Sequence, residues 1–192
     1  GAFVYKWFHK EFNDQIKCLY LNTHSVKNKT HHKLANSFYK LSPHDNDLFR
    51  YTDITSTQQV HSLRRLVEQP WHLKEAGCFT EYKKLITNFG FCMAICAANK
   101  SISLITNFNQ NPEQYVDDIS SYWQDFLLGV GYILDQGNSK WPAHRILLQL
   151  ALEDVTDSFV YLAAIKWKNR NLNDWVIAKN LFSSKYLILI IR

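Results

Sequence analysis

Glycine and proline are scarce in this 192-residue chain, at six and four residues. That scarcity excludes collagen-like, low-complexity and disordered classes, whose compositions cannot build a packed core. Cysteine is scarce too. Cys18, Cys78, Cys92 and Cys96 are too few for a disulfide framework, and Cys92 and Cys96 stand one helical turn apart in the apolar run Phe91 to Ala98, where small buried hydrophobes belong. The apolar tail Tyr186 to Ile191 is far shorter than the ~20 residues of a membrane span, and the start of the chain shows no signal-peptide pattern. A reducing, cytosolic setting without membrane contact is the expectation, and the sequons at Asn28 and Asn99 are set aside as chance matches.

Chemical motifs are lacking as well. There is no GxxxxGK[ST] loop to hold a triphosphate, no GxSxG elbow and no HExxH pair. Gly129-Val130-Gly131 is a lone GxG inside a helical pattern, without the preceding strand and third glycine of a dinucleotide site, and close helix packing explains it. Asp117-Asp118 and Glu153-Asp154 are adjacent acids that splay apart on a helix, so they read as surface charge rather than as a general acid and base. His31 and His32 point to different sides of a helix and cannot form the i, i+4 pair that grips zinc. His9, His24, His44, His61, His72 and His144 have no Cys or carboxylate at a standard ligand interval. The residues thus predict no enzyme, no bound metal and no cofactor in the isolated chain.

What is abundant is apolar and aromatic: 46% hydrophobic residues, with six Trp, ten Tyr and twelve Phe. A chain of this length holds one domain, or one and a fraction, with enough material for a core. The 22 basic and 17 acidic residues leave a formal charge of +5. The cations are dispersed, as in Lys6, Lys10, Lys17, Lys27, Lys29 and Lys33 and again in Lys166, Lys168 and Arg170. A nucleic-acid face needs a concentrated stripe, so nucleic acid is not the expected partner.

Apolar residues recur at three-and-four spacing almost throughout, which predicts helices. Phe8, Phe12, Ile16, Leu19 and Tyr20 mark the first and Asn28 to Lys40 the second, stopped by Ser42-Pro43. Residues 42–57 read as a loop or a lost helical turn. Thr57 is the expected cap of a helix through Val60, Leu63, Leu66 and Val67, ended or kinked at Pro70, with Trp71 to Ala76 a short helix closed by a left-handed Gly77. Phe79 to Thr87, Phe91 to Ala98 and Ile102 to Phe108 follow. A long helix capped at Asn111-Pro112 runs through Leu134 to Gly137, another starts at Trp141-Pro142, and Asp157 is the expected cap of one through Trp167. Only Trp175 to Ile177 and Tyr186 to Ile191 favour strands, and they have no partner here. The fold class is therefore all-α: an array of antiparallel helix pairs, an α-superhelix or right-handed helical bundle, with a possible short β segment at the C-terminus. Leu66, Leu73, Leu85, Ile86, Phe89, Phe126, Ile133, Leu147, Leu150 and Leu162 are the expected core.

Two stretches, RRLVEQPWHLKEAGCFTEYKKLITNFGF from Arg64 to Phe91 and Tyr122 to Val160, resemble the helical linker of NACHT and NB-ARC signal-transduction ATPases. In that family a nucleotidase and winged helix are followed by an α-superhelical segment and WD-repeat propellers. Leu66, Pro70, Trp71, His72, Leu73, Ala76 and Gly77 match its leucine, proline, aromatic, His, Leu, Ala-Gly pattern. KWFHKEFND, Lys6 to Asp14, resembles the end of the winged helix, where a histidine meets the ADP phosphate; His9 takes that place, although Phe8 and Lys10 depart from the motif. The resemblance implies residues 1–25 as the end of a winged-helix-like element, 26–170 as a helical linker domain and 171–192 as the exit toward a propeller. It implies a cytoplasmic, non-catalytic scaffold coupling an ATPase module, which holds ADP or ATP, to a WD-repeat sensor and supporting oligomerisation. The competing reading is a stand-alone helical adaptor that binds protein, with Trp123, Trp141 and Trp167 as candidate anchors.

Overall fold

In the computed structural model residues 14, 15, 18, 23–40, 50–52, 59–61, 63–110 and 117–171 are described. They form α1 His24–Lys40, α2 Leu63–Glu75, α3 Phe79–Ile86, α4 Phe89–Ala97, α5 Ser101–Asn109, α6 Asp118–Asp135, α7 Ala143–Glu153 and α8 Phe159–Asn171, with strands β1 Arg50–Thr52 and β2 Gln59–His61 between α1 and α2. The molecule is all-α in class. His9, most of the proposed winged-helix end and the strand-favouring tail lie outside the described residues.

α4 sets the plan. Its sequence FGFCMAICA has no polar face, and seven of its nine residues are buried. A helix apolar all round is stable only when covered on every side. α4 meets α2, α3, α5, α7 and α8. Around it the other helices pack each on its neighbour in sequence, α1 on α2, α2 on α3, α5 on α6, α6 on α7 and α7 on α8. Trp123 of α6 is the largest side chain of the core; it stacks on Phe108 with ring centroids 6.1 Å apart and meets Phe89 and Phe126. Cys92 and Cys96 are buried free thiols within this core.

Several boundaries differ from the sequence pattern. Val60 is in β2, which pairs antiparallel with β1 in the register Tyr51↔Val60, so α2 begins at Leu63 rather than near Thr57. Pro70 lies inside α2 instead of dividing it. A mid-helix proline costs about 3 kcal/mol. Leu66 before it and Leu73 after it share one buried stripe, and each contributes about 1.5–3 kcal/mol by burial, so one continuous helix outweighs the break.

α6 is capped by Asp117, with Ser120 completing the reciprocal capping box. The last helix is capped by Ser158, whose Oγ accepts from the Tyr161 N–H, one residue beyond Asp157, which itself takes a left-handed φ of +71°.

Of the expected core, Leu66, Leu73, Leu85, Ile86, Phe89 and Leu147 are buried, and Phe126, Ile133 and Leu150 are half-buried against it. Leu162 is exposed. The buried row of α8 is Val160 and Ala164 with Trp167 at its edge, and Leu162, two residues off that row, points to the opposite side. Gly131 does mark close packing, since a Cβ there would stand 2.6 Å from Ile105 Cδ1, whereas Gly129 faces open space.

Candidate functional site

The residues of the Leu66 to Gly77 pattern fall on one helix and its cap. Leu66, Pro70, His72 and Leu73 are buried, while Trp71 is about half exposed, at 49%. Gly77 adopts φ +72° and closes α2, with the Cys78 N–H bonding the Leu73 carbonyl and the Gly77 N–H the Lys74 carbonyl. This double bond pattern satisfies carbonyls that the helix end otherwise leaves open.

α1 lies across the His72 side of this helix. His31 and His72 approach with their Nδ1 atoms 2.8 Å apart, and both rings are buried. One nitrogen must carry a proton and the other a lone pair, so the contact is satisfied when both rings are neutral. Burial first, and then the neighbouring charges of Lys27 on His31 and of His31 on His72, hold both below the ordinary histidine value, against an opposing pull from Glu75 and Glu68. Trp71 stands edge-on over His31 at 4.9 Å, and Phe38 stacks toward His72 at 6.4 Å. The Lys27 ammonium donates to the Glu75 carboxylate at the end of this seam, and that bond, aided by the charge, lowers the Glu75 pKa.

The sequence pattern pointed to His72 but set His31 aside as half of an adjacent pair. His31, Ala35 and Phe38 are the buried row of α1, at i, i+4 and i+7, so the available signal was that His31 shares a helix face with Phe38 while His32 does not.

The other singled-out residues are not brought together with this seam. Trp123 is a core residue with no surface to offer. Trp167 is half-buried against Phe89, 5.9 Å away. Trp141 is exposed, in the turn before α7 where the Asn138 side chain accepts from its N–H. Asp117 caps α6 and accepts from Lys83, while Asp154 accepts from the Tyr122 and Ser158 hydroxyls, so these acids serve the fold. Among the described residues no three His, Cys, Asp or Glu side chains converge as metal ligands, and no helix is long and apolar enough to cross a membrane.

The chemistry the seam offers is proton uptake by a histidine pair, next to a surface row of apolar side chains. Leu63, Val67 and Trp71, at i, i+4 and i+8, are all exposed on one side of α2. No protein-family model, curated protein or solved structure matches this chain.

Proposed function

We propose that this chain is a non-catalytic helical scaffold that joins neighbouring protein modules, of the kind that links a nucleotide-switched ATPase to a WD-repeat sensor in signal-transduction ATPases. The observation that carries the reading is the behaviour of the Leu66 to Gly77 segment: Leu66, Pro70, His72 and Leu73 turn inward, Gly77 makes the left-handed cap, and Trp71 stays about half exposed. Burial accounts for Leu66, Pro70, His72 and Leu73 and the helix cap for Gly77, which leaves Trp71 as the outward contact a linker motif would use. In this reading ADP or ATP is held by the neighbouring ATPase module, with His9 reaching its phosphate, and the chain works in the cytoplasm.

The test is assembly from parts. The chain, a separately expressed NACHT-type ATPase with its winged helix, and a WD-repeat propeller are mixed and sized by light scattering. A complex containing one copy of each, formed only when the chain is present, supports the scaffold. Failure of the chain to bridge the two contradicts it.

A second reading, a stand-alone adaptor that binds a protein partner on its surface, is favoured by the exposed row Leu63, Val67 and Trp71. A monomeric chain that binds a peptide without either module supports this alternative.

A further inference from the structure

The last helix, α8, is polarised along its length. Its C-terminal half carries Lys166, Lys168 and Arg170, and none of its 13 residues is acidic. The acids come just before it, at Glu153, Asp154 and Asp157. That order suits the helix dipole, which draws negative charge to the N-terminus and positive charge to the C-terminus. The dipole accounts for the two ends but not for what lies between them. Phe159 and Leu162, 42% and 49% exposed, share one side of α8 with the exposed Lys166 and Arg170, at i, i+3, i+7 and i+11, turned away from the buried row of Val160 and Ala164.

Tyr122 of α6 fixes where an acid stands relative to this side. Its ring meets the Phe159 ring edge-on, with centroids 6.1 Å apart, and its hydroxyl donates to the Asp154 carboxylate at 3.1 Å. The Ser158 hydroxyl donates to the same oxygen at 2.7 Å, so the Asp154 charge sits at the level of Ser158 and on the Phe159 side. The order along this face is therefore a carboxylate level with Ser158, apolar side chains at Phe159 and Leu162, and cations at Lys166 and Arg170. Leu162 is four residues, about 6 Å of helix rise, from both Ser158 and Lys166. A two-fold axis across the helix at Leu162 exchanges the two ends and brings Lys166 opposite the carboxylate.

We infer that a second copy of this chain docks on this face, α8 against α8 in antiparallel sense, with Leu162 on the axis and each Lys166 on the partner's Asp154. A two-fold interface must be self-complementary, residue i meeting j and j meeting i. An apolar centre with opposite charges at equal distances on either side meets that condition. A partner helix acidic throughout would set like charge against Asp154, and one basic throughout would set it against Lys166 and Arg170. Within the chain, no carboxylate among the described residues pairs with Lys166 or Arg170. One helix pair is smaller than the roughly 1,600 Å² of a standard complex, so the affinity belongs in the micromolar range. The inference goes beyond the scaffold reading and does not depend on it.

The test is sedimentation equilibrium of the full chain across concentrations from about 1 μM to several hundred μM. A monomer–dimer equilibrium is expected, weakened about tenfold or more by Leu162→Glu and by the pair Lys166→Glu with Arg170→Glu, which sets like charge against Asp154. These positions are exposed, so circular dichroism should show unchanged helix content; if Leu162→Glu alters it, the charge pair decides. Geometry is read with Leu162→Cys in a Cys18→Ser background, which removes the exposed native thiol. A residue on the axis meets its own copy, so mild oxidation is expected to join two chains through position 162, as peptide mapping by mass spectrometry will show. Tyr132→Cys, at an exposed site on α6, is the control and is expected to stay unjoined.

A chain that remains monomeric at the highest concentration overturns the proposal. So does a dimer indifferent to both the Leu162→Glu and the Lys166→Glu with Arg170→Glu variants, or one that Tyr132→Cys joins as readily as Leu162→Cys.

Discussion

Gly77 holds its backbone at φ +72° with open space where a Cβ would stand. Its role is therefore conformational rather than steric. Gly77→Ala is expected to destabilise the chain by about 1 kcal/mol, and Gly77→Asn by less, because the left-handed region costs a non-glycine residue about that much and Asn tolerates it best. Urea denaturation of the two variants checks the order. Burial raises the Cys96 thiol to about 12 and puts Cys92 well above the usual range, while Cys18 is exposed. A maleimide at neutral pH is expected to label Cys18 readily and to leave Cys92 and Cys96 unmodified until the protein unfolds, as mass spectrometry of the native and denatured chain will show. Both features were legible in the sequence: a glycine just past a periodic segment, and two cysteines in an apolar run. The burial of Trp123 was not, because a tryptophan at helical spacing reads the same in a core as on a binding face, and only the approach of Phe89 and Phe108 from other elements decides between them.

At the scale of the element, α1 and α2 are joined by a seam whose strength depends on protonation. His31 and His72 titrate below the ordinary value of 6.5, so just below that pH the unfolded chain binds more protons than the folded one. Stability from the pair is thus fully present above about pH 6.5 and is lost as pH falls through the lowered values. The groups facing the pair are Lys27 and Glu75 on His31, and Arg64, Glu68 and Glu75 on His72. The expected result is a fall in thermal midpoint between pH 7 and pH 5, flattened in the variant His31→Leu with His72→Leu, together with faster hydrogen exchange in α1 at the lower pH. Helix existence was legible from periodicity at α3, α5, α6, α7 and α8. Boundaries were less so. β1 and β2 are three residues each and too short to show an alternation, and Pro70 breaks a helix in isolation but not one whose two halves share a buried row.

For the molecule as a whole, α4 makes the architecture cohesive, since five other helices rest on it. Its apolar run marked it as buried, but a run that is apolar on every side carries no direction, so the identity of its five neighbours could not be read from the sequence. The Leu66 to Gly77 pattern was legible as a unit, and its inward and outward members follow from helical geometry; which partner Trp71 faces does not. The central claim is that the chain is a scaffold for a nucleotide-switched neighbour, and the most direct measurement is its affinity for a NACHT-type ATPase with winged helix, by calorimetry, once with ADP and once with a non-hydrolysable ATP analogue. The scaffold account predicts at least about tenfold tighter binding in one nucleotide state, a coupling of the usual size for a two-state interface, reduced by His9→Ala. Equal affinity in both states, or none, would contradict it.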